Sequence, residues 1–126
     1  MLNQTVLVGR LVSDPEVKEL EEGKKVCNVT IAVPRSYKNA NGEYDTDFVD
    51  CTLWHGVAEN TAEYCRKGDL VGIKGRVQTD MYEHDGENRK STTIVAEKVT
   101  FLSSKSKDIQ DEVDKKSAKE DEDINL

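Results

Sequence analysis

Residues 48–77 read FVDCTLWHGVAENTAEYCRKGDLVGIKGRV, and their periodicity changes twice. From Phe48 to His55 the chain alternates. Val49, Cys51 and Leu53 share one side, and Phe48, Asp50, Thr52 and Trp54 share the other, the pattern of a half-buried strand. From Val57 to Lys67 the spacing becomes helical. Ala58, Ala62 and Cys65 form a stripe, Arg66 and Lys67 fall in the last turn, and Gly68 is the stop signal. From Leu70 to Met81 alternation returns, with Val71, Ile73, Gly75 and Val77 opposite Lys74, Arg76, Gln78 and Asp80. Strand, short helix, strand is the centre of the pattern.

Working outward, Val6 to Val12 is a β-rich run ended by Ser13-Asp14-Pro15. Val26 to Val33 sets Cys27, Val29, Ile31 and Val33 against Asn28 and Thr30, and Thr92 to Leu102 supplies a fifth strand. Turn signals stand at Glu22-Gly23, Asn39-Ala40-Asn41-Gly42 and Asp85-Gly86. Five strands with one short helix between the third and fourth is the order of an all-β OB-fold barrel. Gly9, Gly72 and Gly75, inside strands, fit the bends that closing a small barrel demands.

The composition shifts after Leu102. Residues 103–126 hold no aromatic residue, Gly or Pro, and their only apolar side chains are Ile109, Val113, Ala118, Ile124 and Leu126. That is too little for a core, so the expected organisation is a folded domain over 1–102 and a disordered acidic tail over 103–126. Of the net charge of -7, the domain contributes 13 basic against 17 acidic groups, and the tail 5 against 8. This balance excludes a globally basic nucleic-acid wrapper and leaves the placement of charge to decide. Glu120-Asp121-Glu122-Asp123 before Ile124-Asn125-Leu126 reads as an interaction tip. No apolar run approaches the ~18 residues of a membrane span, and the start leads directly into a strand, so the expected setting is the cytoplasm. Cys27, Cys51 and Cys65 read as small buried hydrophobes, and with His55 and His84 isolated no metal or other cofactor is expected.

The polar side of the third strand carries the chemistry. Two large rings, Phe48 and Trp54, lie among polar groups where an inward face would be apolar, so they read as an exposed platform. Such rings stack bases of any sequence. Cations are interleaved with further rings: Arg35, Tyr37 and Lys38 at the end of the second strand and its loop, Lys74 and Arg76 on the fourth, and Tyr82 beyond Asp80. Arg10 shares the side of Val6 and Val8, and Arg89-Lys90 extends the path along a loop. Rings for bases and cations for phosphates are what a flexible single strand requires.

These residues carry a resemblance. The run from Met1 to Leu11 followed by Asp14-Pro15-Glu16 resembles the opening of bacterial single-stranded-DNA-binding proteins, the Gram-positive branch above all. So do Ala32-Val33 before Arg35-Ser36-Tyr37, Asp47-Phe48, Ala58-Glu59-Asn60, Lys67-Gly68, Gly75-Arg76-Val77-Gln78-Thr79 and Phe101-Leu102. The resemblance implies a non-enzymatic, sequence-independent binder of single-stranded DNA acting as a homotetramer. It places base-stacking rings at Tyr37, Phe48, Trp54 and Tyr82. It also implies a tip, here Asp121-Glu122-Asp123-Ile124-Asn125-Leu126, that docks into enzymes of replication, recombination and repair.

The chain departs from the family's pattern where Asn125 and Leu126 replace Pro and a terminal Phe, consistent with a phage, plasmid or accessory version. It departs again where Gln4 and Asp80 stand at positions usually basic. With Asp50 on the ring-bearing face, these weaken phosphate attraction and give stacking the larger share. Two other readings of the same residues exist. An OB-fold adaptor for proteins fits the acidic barrel. A nuclease would need Asp45, Asp47 and Asp50 to gather a metal, but alternation puts Asp47 and Asp50 on opposite sides.

Overall fold

Alternation over the expected runs does produce strands. The computed structural model describes residues 1–103, and the acidic tip and the rest of the tail expectation lie outside them. The order is β1 (Thr5–Leu11), β2 (Lys18–Glu19), β3 (Lys25–Lys38), β4 (Tyr44–Trp54), α1 (His55–Tyr64), β5 (Leu70–His84) and β6 (Glu87–Ser103). Neighbours run β1-β5-β6-β4-β3-β2, and a β1–β3 pairing (Arg10 opposite Ala32, Leu11 opposite Ile31) closes the barrel. Five long strands and one helix make the OB-fold; β2 is a two-residue addition on β3. All pairings are antiparallel except β4–β6, which is parallel and confined to Cys51 opposite Ile94 and Thr52 opposite Val95.

The inward positions are those the alternation selects. Leu11, Cys27, Val29, Ile31, Cys51, Leu53, Val71, Ile73, Ile94 and Ala96 form one buried cluster that Ala58 and Cys65 of the helical segment complete. Burial of each large aliphatic side chain stabilises the fold by ~1.5–3 kcal/mol. Closure needs two glycines. A Cβ on Gly75 would run into the Val95 carbonyl, and one on Gly9 would come within 2.6 Å of the Ala32 carbonyl oxygen. Gly72 has no such constraint, since a Cβ there meets nothing nearer than 3.7 Å.

Several boundaries differ from expectation. The helix starts two residues early and stops at Tyr64, so Arg66 and Lys67 lie in a following turn rather than its last turn. The chain breaks there because Cys65 turns extended to bury its side chain while its N–H still reaches the Thr61 carbonyl (2.9 Å). The turn is then pinned to the barrel: the Gly68 N–H donates to the Leu11 carbonyl (2.8 Å), and Asp69 accepts from the Arg66 N–H (2.8 Å). Thr61, not Ala62, fills the fully buried position of the helical stripe.

The second difference shapes the site. β3, β4, β5 and β6 all outrun the core, giving two hairpin arms, β3–β4 and β5–β6, that extend from the barrel. The second arm turns at Asp85-Gly86, both with positive φ (52° and 78°), the backbone of a two-residue hairpin. Arg89 and Lys90 therefore lie on β6, paired with Tyr82 and Met81, not along a loop. Because β4 and β6 run parallel, both arms leave the same end of the barrel, and the two strands pair only within the barrel, at Cys51–Ile94 and Thr52–Val95.

Candidate nucleic-acid interface

Register decides which side chains share the outer face. Across β3 and β4 the outward pairs are Val26–Trp54, Asn28–Thr52, Thr30–Asp50 and Ala32–Phe48. Two hydrogen bonds mark this surface: Thr30 Oγ1 donates to Asp50 Oδ1 (2.8 Å) and Thr52 Oγ1 to Asn28 Oδ1 (3.2 Å). Phe48 stands 66% exposed because its cross-strand neighbour is only alanine. Trp54 differs. It is 37% exposed and sits opposite the buried Val26, so the larger part of the indole is already packed. Phe48 is thus open to solvent over most of its ring, and Trp54 over about a third of its surface.

Cations reach this surface from both flanks. Ala32 also pairs Arg10, so Arg10, Ala32 and Phe48 form one row over β1, β3 and β4, roughly 10 Å across at the usual strand spacing. The Arg10 guanidinium is oriented by a hydrogen bond from Nη1 to the Gly68 carbonyl (3.0 Å). On the other flank Thr52 lies beside Val95, and Val95 opposite Arg76, which makes a row Asn28–Thr52–Val95–Arg76. Lys74 is two residues away on the same side, opposite Lys98 and Val6. Among the described residues, neither Lys74 nor Arg76 meets an acidic partner. Farther along β5, Asp80 accepts a hydrogen bond from Gln78 (3.2 Å), and the half-exposed Tyr82 faces Arg89 across the arm. Lys90 takes the opposite face, beside Met81.

The first arm separates the other predicted residues. Arg35 clasps Asp47 with Nε and Nη2 (3.1 and 2.9 Å) and approaches Asp45 at 3.8 Å. Asp45 and Asp47 alternate with Phe48, so Arg35 lies on the reverse of the arm from the ring. Its hydrogen bonds hold the Asp47 carboxyl below the usual carboxylate range and raise the guanidinium further. Tyr37 is exposed in the irregular stretch between Pro34 and Lys38, where β3 carries more residues than β4. Lys38 pairs with Tyr44 and sets its ammonium 5.8 Å from that ring's centre.

Nothing in the sequence reading singled out Tyr44. Its parity with Phe48 was a usable signal, but the strand was expected to begin only at Phe48.

Other features lie elsewhere. A cavity of about 460 Å³ between α1 and β6, lined by Val57, Thr61, Tyr64, Val99 and Phe101 among others, holds none of the predicted residues. The three cysteines are buried, and desolvation pushes the Cys51 and Cys65 thiols to about 11. Among the described residues no group of three or more His, Cys, Asp or Glu is arranged to hold a metal, and no helix is long and apolar enough to cross a membrane. Asp45 and Asp47 serve Arg35 while Asp50 faces the other way, which leaves the nuclease reading without its cluster.

Residues 2–102 match the Single-strand binding protein family. The chain belongs to this family. Among its relatives, Single-stranded DNA-binding protein B of Bacillus subtilis (strain 168) is 51% identical over 106 residues, 83% of this chain and 94% of that one. Single-stranded DNA-binding protein 3 of Listeria innocua is 49% identical over 106 residues, 83% of this chain and 66% of that one. Single-stranded DNA-binding protein 1 of Clostridium acetobutylicum is 43% identical over 106 residues, 82% of this chain and 96% of that one. The chain thus spans nearly all of two relatives and about two thirds of the other. The family match covers the whole barrel and both arms, so every described site residue lies inside it.

Proposed function

We propose that this protein binds single-stranded DNA without reading its sequence and catalyses no reaction. One observation carries the reading: exposed rings on β4 share a continuous outer face with cations from β1 and β5. A strand laid along β4 stacks bases on Phe48 and on the open part of Trp54. Arg10 on one flank and Lys74 and Arg76 on the other take its phosphates, and Tyr82 with Arg89 extends the path along the second arm. No base-edge pocket is needed, since every base presents a π-face. Tyr37 and Lys38 serve the first arm, while Arg35 contributes by bracing it.

By the same proposal the protein shields exposed strands during replication, recombination and repair, and works as a homotetramer. The outward Val6 and Val8 of β1, both exposed in a single chain, support association between copies. The tip Asp121 to Leu126 recruits partner proteins, its three acids together with Glu120 steering and Ile124 with Leu126 anchoring.

The chain has one tryptophan, and it lies in the site. Titrating the full chain with poly-dT should quench Trp54 emission to saturation, with the same response to mixed-sequence single strands and none to duplex at equal concentration. Unchanged emission, with no shift of a labelled strand in filter binding, would leave the adaptor reading in its place.

A further inference from the structure

The tip of the first arm holds a ring that no part of the sequence pattern singled out. Tyr44 opens β4 and is 56% exposed. It shares its side with Thr46 and Phe48, since outward positions on a strand recur every second residue. At ~3.3 Å per residue it stands roughly 13 Å beyond Phe48 on the line that Trp54 and Phe48 define.

Three features fix it there. Asn39 closes the loop before it: its Oδ1 accepts from the N–H groups of Asn41 (2.9 Å) and Glu43 (3.0 Å), and its Nδ2 donates to Asp45 (3.1 Å). The Asn39 N–H in turn donates to the Glu43 carbonyl (2.7 Å). On the reverse of the arm, Arg35 ties down Asp45 and Asp47, the residues either side of Thr46. Lys38 then sets its ammonium 5.8 Å from the ring centre, within cation–π reach. A ring on a braced backbone stacks a base with little ordering cost. The adjoining ammonium supplies the charge that the flanking phosphate needs.

From this the geometry points to a further nucleobase subsite at the arm tip, formed by Tyr44 with Lys38 as its phosphate contact. It rests on the proposed binding of single strands and extends that path outward from Phe48. Asp45 and Asp47 are turned away from it towards Arg35.

The test is a length series of dT oligonucleotides against the full chain, Tyr44→Ala and Tyr44→Phe, read by Trp54 quenching and by anisotropy of the labelled strand. Tyr44→Ala should weaken binding about 5- to 150-fold for strands long enough to pass Phe48 and reach the tip. The shortest strand that still quenches Trp54 should bind as in wild type, and Tyr44→Phe should behave as wild type throughout. Equal affinity of wild type and Tyr44→Ala at every length overturns the subsite while leaving single-strand binding in place. A loss independent of length also overturns it, because a local subsite acts only on strands that reach it. Failure of the wild-type chain to bind any dT strand overturns the parent reading instead.

Discussion

Phe48→Ala and Trp54→Ala separate two roles that sequence alone merges. Trp54 hides roughly two thirds of its surface in the folded chain and Phe48 about one third. For a full side-chain area of about 200–250 Å², that is roughly 150 Å² for Trp54 and 70 Å² for Phe48. At ~25 cal/mol per Å², and after crediting the methyl that alanine keeps, the upper-bound folding costs are about 3 kcal/mol and 1 kcal/mol. Loss of a stacked base costs ~1–3 kcal/mol of binding in either variant.

Trp54→Ala should therefore lose more folding stability than affinity, and Phe48→Ala at least as much affinity as stability. In thermal unfolding the tryptophan variant should melt lower by up to about 12–24 °C and the phenylalanine variant by up to about 4–8 °C. Both scans need the same protein concentration, since association raises the apparent midpoint. Affinity should be read by anisotropy of labelled dT at a temperature where both variants are folded. Equal melting shifts would mean that the indole is not packed over Val26. A Phe48→Ala protein that binds dT as wild type does would remove the ring from the strand's path.

Three further outcomes follow from the geometry. Asp50→Asn keeps an acceptor for Thr30 and removes a charge beneath the strand; at about 7 Å from a phosphate it should raise dT affinity up to roughly threefold in dilute salt, less at 0.15 M, in the same anisotropy assay. Arg35 depresses the Asp47 pKa in the folded chain, so the pair's support of the first arm is complete above the unfolded value near ~3.9 and lost only as pH falls through the lower folded value. Hydrogen exchange should find the arm amides protected on acidification past the ordinary Asp range, and Asp47→Asn should lose that protection at every pH. Gly75→Ala drives a methyl into the Val95 carbonyl and should cost about 2 kcal/mol or more in urea unfolding, whereas Gly72→Ala, with ordinary contact distances, should cost clearly less.

What the sequence disclosed followed the core. Cys27, Val29, Ile31 and Cys51, Leu53 alternate because one side of each strand is buried, so the barrel and the faces of Phe48, Trp54, Lys74 and Arg76 were legible from parity. The arms were not. Past Val33, before Phe48 and between Val77 and Ile94 both faces meet solvent, so nothing forces alternation of polarity and strand ends read as loops. Tyr44 was lost for that reason. Arg35 was misplaced for another: only the register, with its irregularity between Pro34 and Lys38, brings it against Asp47, and cross-strand register cannot be counted from one strand. The helix end escaped because it is set by Leu11 on a distant strand accepting from Gly68.

A barrel with four more acids than bases holds a polyanion only through placement, and that placement has a measurable consequence. Several of its acids are engaged away from the strand: Asp45 and Asp47 by Arg35, Glu59 by Lys25 and Asp14 by the Lys67 N–H. On the outer face Arg10, Lys38, Lys74, Arg76, Arg89 and Lys98 stand against Asp50, Asp80 and Glu87, the last 3.7 Å from Arg89. At 0.15 M salt the screening length is ~8 Å, so the strand feels this local set and little of the rest. At 0.01 M it reaches ~30 Å, which spans the barrel, and the engaged acids, still charged, add their repulsion. Lowering salt thus strengthens the contacts that release counterions while admitting an opposing field from the far side. Log affinity for dT against log salt should slope downward at moderate salt and flatten towards 0.01 M, where a basic binder stays linear. Titrations of the full chain from 10 to 300 mM NaCl test this at about ten salt points. A straight line down to the lowest salt would show that the distant acids do not reach the strand.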